Sequence, residues 1–187
     1  MAREVECKIR LQEYEVAAVR ERIGTLFAHI PPRNFFKADT YLRYHADDGD
    51  LVRVRVDGDE IIVTKKFKEQ LGEGVESNRE LEFSVAAGQY EAVRDFFLAL
   101  GYRPLLEKEK RGTAWTEDAC TVELVHVARL GWFLELEMLL ADNHTEAELA
   151  SALDTLKRLR ETLEVEWHPL EGRYYMEMLK ETAKESG

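Results

Sequence analysis

The chain has 187 residues, 45% of them hydrophobic, and a formal net charge of −11. That length suits a single domain over 1–187 with a core of its own, and the acidic balance argues against non-specific binding to nucleic acid or membrane surfaces. No apolar run approaches the ~18 residues of a membrane span, and charges stand where a signal peptide would carry its apolar stretch, so a cytoplasmic protein is expected.

The first ten residues set the pattern. In a strand, Glu4, Glu6, Lys8 and Arg10 share one face, and Val5, Cys7, Ile9 and Leu11 share the other. Val16, Val19, Ile23, Leu26 and Phe27 then recur at helical spacing, which predicts a helix over 13–29 ended by Pro31-Pro32. A strand is expected over 34–45, a turn at Asp47-Asp48-Gly49-Asp50, and a strand over 51–56 with Arg53 and Arg55 opposite three valines. Asp57-Gly58 signals a hairpin, and its returning strand, 60–67, carries Thr64 and Lys66 on one side. Residues 68–76 read as a mobile loop. A strand over 78–85 sets Glu80 and Glu82 against Leu81, Phe83 and Val85. It is followed by a helix over 87–100, with Gly101 placed for its C-terminal cap. The repeated order, an E-x-E strand followed by a helix and then strands, hints at internal duplication.

The second half continues with a strand over 102–115 bearing Lys108 and Lys110, with a break expected at Gly112. Strands follow over 120–127, with Glu123, and 131–140, where Glu135 and Glu137 oppose Trp132, Leu134, Leu136 and Met138. Thr145 and Glu148 fit a capping box, opening a helix to Leu163 with a leucine stripe. A homodimer through this stripe stays open beside the alternative that it is core. The last segment, 169–183, ends in a charged helix. Cys7 and Cys120 lie in apolar runs and are expected to pack as small hydrophobes. The five histidines make no spacing that suits zinc.

Charge confined to one face in nearly every strand is poorly explained by solvated edges. It suits a closed barrel with a polar interior. The inward set would hold the acids Glu4, Glu6, Glu80, Glu82, Glu123, Glu135 and Glu137. It would also hold the bases Lys8, Arg10, Arg53, Arg55, Lys66, Lys108 and Lys110. Each E-x-E pair puts two carboxylates on one strand face about 7 Å apart, a donor set suited to hard divalent cations. Clustered Arg and Lys suit polyphosphate. The two clusters in one cavity fit a metal-bound triphosphate. No G-x-x-x-x-G-K-[ST] or G-x-G-x-x-G is present, so side chains would have to hold the phosphates.

Glu4-x-Glu6-x-Lys8 resembles the E-x-E-x-K signature of the CYTH superfamily, the triphosphate tunnel metalloenzymes. Asp39-Thr40-Tyr41, Arg53-Val54-Arg55, Thr64-Lys65-Lys66, Glu80-Leu81-Glu82 and Lys108-Glu109-Lys110 resemble further family motifs in the same order. Leu130-Gly131-Trp132-Phe133-Leu134-Glu135-Leu136-Glu137 is similar to the family's L-G-x-F-x-E-I-E. The likeness runs from Glu4 to Leu179. Lys37 stands where the family usually has Gln, Phe67-Lys68 where it has Gly-Pro, and Val125 where it often has Asp. The resemblance implies an α+β fold: a closed eight-stranded antiparallel β-barrel, a tunnel with helices packed outside. It implies Mg²⁺ or Mn²⁺ on the carboxylates and a triphosphate gripped by the bases, with Lys8, Arg55 and Lys110 catalytic. The substrate would be ATP, tripolyphosphate or thiamine triphosphate. A class IV adenylyl cyclase, converting ATP to cyclic AMP and pyrophosphate, is the first expectation. An inorganic tripolyphosphatase or thiamine triphosphatase is the alternative, and a non-catalytic polyphosphate- or nucleotide-binding module the third.

Overall fold

In the computed structural model, residues 2–44, 51–72 and 74–185 are described. The expected turn at 47–50 lies outside them. Alternating strands close into one antiparallel barrel in the order β1-β5-β4-β3-β2-β6-β7-β8, with β8 returning to β1. The strands are β1 (Ala2–Leu11), β2 (Arg33–Tyr44), β3 (Leu51–Asp57), β4 (Glu60–Gly72), β5 (Val75–Ala86), β6 (Tyr102–Glu117), β7 (Cys120–Val127) and β8 (Gly131–Ala141). The helices are α1 (Val16–Leu26), α2 (Tyr90–Ala99), α3 (Glu146–Thr162) and α4 (Tyr175–Glu185). None of them is long and apolar enough to cross a membrane.

The ring order has a two-fold logic. Replacing β1–β4 by β5–β8 maps every strand pairing onto another, and a helix follows both β1 and β5. This is the topology that the repeated strand–helix–strand order suggested.

Apolar halves of the strands face the helices. Val5, Cys7, Ile9 and Leu11 of β1 join Val122, Leu124, Leu134 and Leu136 under Val16, Val19 and Ile23 of α1. Ala152 and Leu156 of α3 are buried, and Leu149, Leu153 and Leu159 pack on the same wall, so the leucine stripe is core. Thr145 and Glu148 form the expected capping box. Elsewhere, Val52, Val54, Ile61 and Val63 lie under α2.

Two expectations change. Most of the stretch 68–76 belongs to the sheet: β4 runs to Gly72 and β5 begins at Val75, with a register shift between Gln70 and Gly72. Gly74, at φ +80, is required there, since a Cβ would lie 2.6 Å from the Cβ of Leu170. β6 also passes unbroken through Gly112. Glycine serves close strand approach, not a turn: a Cβ at 112 would lie 2.4 Å from the carbonyl oxygen of Leu124.

The C-terminal segment completes the wall. β5 pairs with β1 only as far as Cys7. Beyond that point Ile9 bridges to Leu170, and the Glu171 amide donates to the Lys8 carbonyl at 2.7 Å. The segment then leads into α4, whose Tyr175, Met178 and Leu179 pack on Phe35, Val125, Val127 and Phe133. These side chains fill one end of the barrel with an apolar plug.

Candidate active site

The rest of the interior is a cavity of about 200 Å³. Strand register decides which charges meet there. Across β1 and β8, Glu6 stands opposite Glu137 and Lys8 opposite Glu135. Across β4 and β5, Lys66 stands opposite Glu80, and β2 sets Asp39 between Arg55 and Lys108. The lining includes Glu4, Glu6, Lys8, Arg53, Arg55, Lys66, Glu80, Lys108, Lys110, Glu123, Glu135 and Glu137.

Arg10 and Glu82, expected with them, do not line the cavity. Arg10 has the inward parity but lies level with the plug. Its guanidinium sits 5.1 Å from the Phe133 ring centroid and 3.6 Å from the Met178 sulfur. The Glu82 side chain is 44% exposed, accepts from Thr64 at 2.8 Å, and lies 3.8 Å from Arg53.

One region of the cavity is an acidic corner. Carboxylate oxygens of Glu4, Glu6 and Glu137 all lie within 4.8 Å of one another. Burial, reinforced by Glu4 and Glu6, raises the Glu137 carboxyl to about 8. Burial raises Glu4 to about 7, against the pull of Lys66. The Lys66 ammonium sits 3.2 Å from Glu4, 3.3 Å from Glu6 and 3.0 Å from Glu80. Burial alone would lower its pKa, but Glu6, Glu4 and Glu80 hold it well above the ordinary lysine value. A cation thus already stands among these oxygens. An all-oxygen, crowded and electron-rich donor set fits a hard divalent ion such as Mg²⁺ or Mn²⁺.

The other region is a basic belt in which each carboxylate is matched. Asp39, 2% exposed, accepts from Arg55 at 2.7 and 3.0 Å and from Lys108 at 2.8 Å. Burial would raise its pKa, but Lys108 and Arg55 hold it well below the usual carboxylate range. Lys110 donates at 2.8 Å to both Glu123 and Glu135, and Lys37 donates to Glu123 at 3.0 Å. Burial would raise Glu135 as well; Lys110 and the Tyr175 hydroxyl, donating at 2.5 Å, reverse it. Glu123 is lowered in the same way by Lys110 and Lys37. Lys8 differs from the rest of the belt. It is 7% exposed, lies 5.4 Å from the Tyr175 ring centroid, and has no carboxylate within ion-pair distance among the described residues.

So the seven carboxylates expected to bind metal divide. Glu4, Glu6 and Glu137 form the corner. Glu80 is turned onto Lys66 and lies 3.9 Å from Arg53, while Glu123 and Glu135 are held by lysines. The structure also brings in Asp39, Lys37, Tyr41 and Tyr175, which were not in the expected site. Lys37-x-Asp39-x-Tyr41 has the same period-two spacing as the charged faces of β1, β3 and β8. Tyr175 carries no such signal, because α4 lies far along the chain from the strands it meets.

The CYTH domain family model matches residues 2–165. The chain belongs to the CYTH family. A Pyrococcus horikoshii structure is similar at a TM-score of 0.72 and 24% identity, over 96% of this chain and 99% of that one. A second P. horikoshii protein gives 0.71 and 24%, over 93% and 98%. A Hippeastrum protein, provisionally assigned as an adenylyl cyclase and shown to have a dominant triphosphatase activity, gives 0.68 and 13%, over 97% and 96%. At such identities these likenesses speak for the fold. No curated protein matches the sequence significantly.

Proposed function

We propose that this CYTH protein is a divalent-metal-dependent triphosphate phosphohydrolase. The observation that carries the reading is the size and lining of the cavity. At about 200 Å³ it falls below the ~300 Å³ at which ordinary small-molecule pockets begin. That volume suits a phosphate chain better than a whole nucleoside triphosphate. This reverses the order that the motifs suggested, in which adenylyl cyclase came first.

Glu4, Glu6 and Glu137 are the residues that would hold Mg²⁺ or Mn²⁺. The bound ion would neutralise phosphate oxygens and polarise phosphorus. Lys8, lacking a carboxylate of its own, binds the incoming phosphate. Arg53 and Lys66 add positive charge beside the acidic corner, and Lys108 adds it beside Asp39. Arg55 and Lys110 are locked in place by Asp39 and by Glu123 and Glu135. They present fixed charge to the oxygens that become more negative as the phosphorus–oxygen bond breaks. Water attacks the terminal phosphorus, and the remaining phosphate chain leaves. Tripolyphosphate is the substrate this favours over thiamine triphosphate, whose organic half is as large as a nucleoside.

Cyclisation is the second reading. Tyr41, Leu51 and Met176 give the lining some apolar surface that a nucleobase would use. In that reaction the ribose 3′-oxygen attacks the α-phosphorus and pyrophosphate leaves. A passive polyphosphate-binding module is disfavoured, because an anion site gains nothing from three mutually repelling carboxylates. The test is a panel of tripolyphosphate, thiamine triphosphate and ATP with Mg²⁺ or Mn²⁺. Orthophosphate release from tripolyphosphate is expected. Cyclic AMP with pyrophosphate as the main products from ATP would favour the cyclase, and binding without turnover the passive module.

A further inference from the structure

Lys66 and a divalent ion compete for the same oxygens. The ammonium lies 3.2 Å from Glu4 and 3.3 Å from Glu6, two of the three carboxylates of the acidic corner. A magnesium ion takes its oxygen ligands at about 2.1 Å. An ammonium left on the same two carboxylates would stand close beside that ion, and like charges so near one another repel strongly in a buried site.

Lys66 is also held more loosely than the other shared lysine of the cavity. In the ring order β5 stands between β4 and β1, so Lys66 reaches Glu4 and Glu6 over an intervening strand, on a flexible stem. Its contacts, at 3.2, 3.3 and 3.0 Å, are longer than the two 2.8 Å bonds of Lys110. Its side chain is 23% exposed, against 6% for Lys110, and it lines the cavity where phosphate would lie. Two of its partners keep other donors. Asn78, fully buried on β5, donates from Nδ2 to Glu6 at 3.0 Å, and Arg53 lies 3.9 Å from Glu80. Glu6 and Glu80 therefore stay in place when the ammonium turns away, and the ion itself would then hold Glu4.

We propose that Lys66 is a movable counter-ion: it neutralises the corner until a divalent ion arrives, then passes to the phosphate chain that comes with the ion. This rests on the metal-dependent triphosphate reading above and narrows it. A free ion must expel Lys66 with nothing to receive it. An ion that arrives with triphosphate brings the oxygens that accept the ammonium. The cavity thus discriminates against the free ion and takes ion and phosphate together. Each raises the affinity for the other by the same factor, and Lys66 supplies part of that factor.

Calorimetric titrations of the whole chain test this, with Mg²⁺ alone, with a non-hydrolysable tripolyphosphate analogue alone, and with both. At about pH 8.5, above the raised values of Glu4 and Glu137, protons do not take the place of Lys66. Lys66→Met should bind Mg²⁺ alone at least about tenfold more tightly than the wild type. The coupling factor is the affinity for both ligands divided by the product of the separate affinities. It should fall at least about fivefold in the variant. A lysine that stayed in place would alter the separate affinities through its charge and leave the coupling factor unchanged. Lys66→Gln serves if Lys66→Met does not fold. A variant that binds Mg²⁺ no more tightly than the wild type, or an unchanged coupling factor, overturns the proposal. Orthophosphate release separates it from the reading beneath it. A wild type that hydrolyses tripolyphosphate while the coupling factor is unchanged keeps the hydrolase and loses only the counter-ion. Tighter Mg²⁺ binding and a lower coupling factor in a chain that releases no orthophosphate keep the counter-ion and lose the hydrolase.

Discussion

Two regions of the same cavity treat buried carboxylates in opposite ways. In the acidic corner, Glu4 and Glu137 are pushed up to about 7 and about 8. In the basic belt, Asp39, Glu123 and Glu135 are held below the ordinary carboxylate range. Burial acts in the same direction on all five. The difference lies in the neighbours: the belt has about as many cations as acids, whereas Lys66, the cation beside the corner, is shared among Glu4, Glu6 and Glu80, and among the described residues no cation pairs with Glu137. The belt is therefore a finished structure that holds its bases in place. The corner is electrostatically incomplete, as expected of a site that receives a cation.

Perturbing the belt should give the largest loss of stability. Asp39→Ala leaves Arg55 and Lys108 buried without their common partner, a change expected to cost about 3–5 kcal/mol. Chemical denaturation should show it as a lower midpoint with an unchanged slope. If Asp39→Ala were as stable as the wild type, the belt would not be the structural half of the cavity.

Perturbing the corner should instead remove activity and leave folding intact. Glu6→Gln and Glu137→Gln are each expected to lower metal-dependent turnover on the order of a hundredfold. Burial and acidic neighbours already disfavour the charged form of Glu137, so Glu137→Gln should leave the apo protein at least as stable. Wild-type turnover in both variants would remove the corner from the reaction. Lys8→Met, which breaks no carboxylate pair, should cost about 1.5–3 kcal/mol of transition-state or substrate binding, read as a roughly tenfold or greater fall in kcat/KM. A kcat/KM equal to wild type would mean that Lys8 does not meet the phosphate.

The two regions should also separate by pH. Glu4 and Glu137 have raised values in the folded protein. The stability they contribute is fully present below the ordinary carboxylate value of 4.5 and is lost as pH rises through about 7 and about 8. Asp39 has the opposite sign. Its contribution is present above its ordinary value of 3.8 and is lost only as pH falls through its much lower folded value. Metal must displace protons from the corner, so its affinity should increase with pH between about 6 and 8. Melting curves of the apo protein and with Mn²⁺, taken across that range, should diverge towards alkaline pH. Parallel curves would break the distinction. A smaller loss of stability than in Asp39→Ala is expected from Tyr175→Phe, which removes the hydroxyl bond to the ionised Glu135 and should cost about 1.5–3 kcal/mol.

Much of this cavity was legible because a strand has period two. Once Glu4, Glu6 and Lys8 were on one face, the same parity in β3, β4, β6 and β8 gave most of the lining. Parity alone does not give depth along the barrel. Arg10 shares the face of Lys8 but lies level with Phe133 and Met178, where the interior is apolar. Val125, which departs from the family pattern, is explained by the same plug. The pairing of Lys37 with Glu123 crosses non-adjacent segments, and it depends on strand order that no local pattern encodes. Taken in isolation, glycines such as Gly112 and Gly74 signal turns. Here each answers a close approach by a distant residue, Leu124 or Leu170.

Anomalous diffraction from crystals grown with Mn²⁺ and a non-hydrolysable tripolyphosphate analogue tests the division most directly. A manganese peak is expected among the oxygens of Glu4, Glu6 and Glu137, with the phosphate chain running from it towards Lys8. The peak should disappear in Glu137→Gln. A bound phosphate chain with manganese absent from that corner, or held by Glu123 and Glu135 instead, would contradict the account.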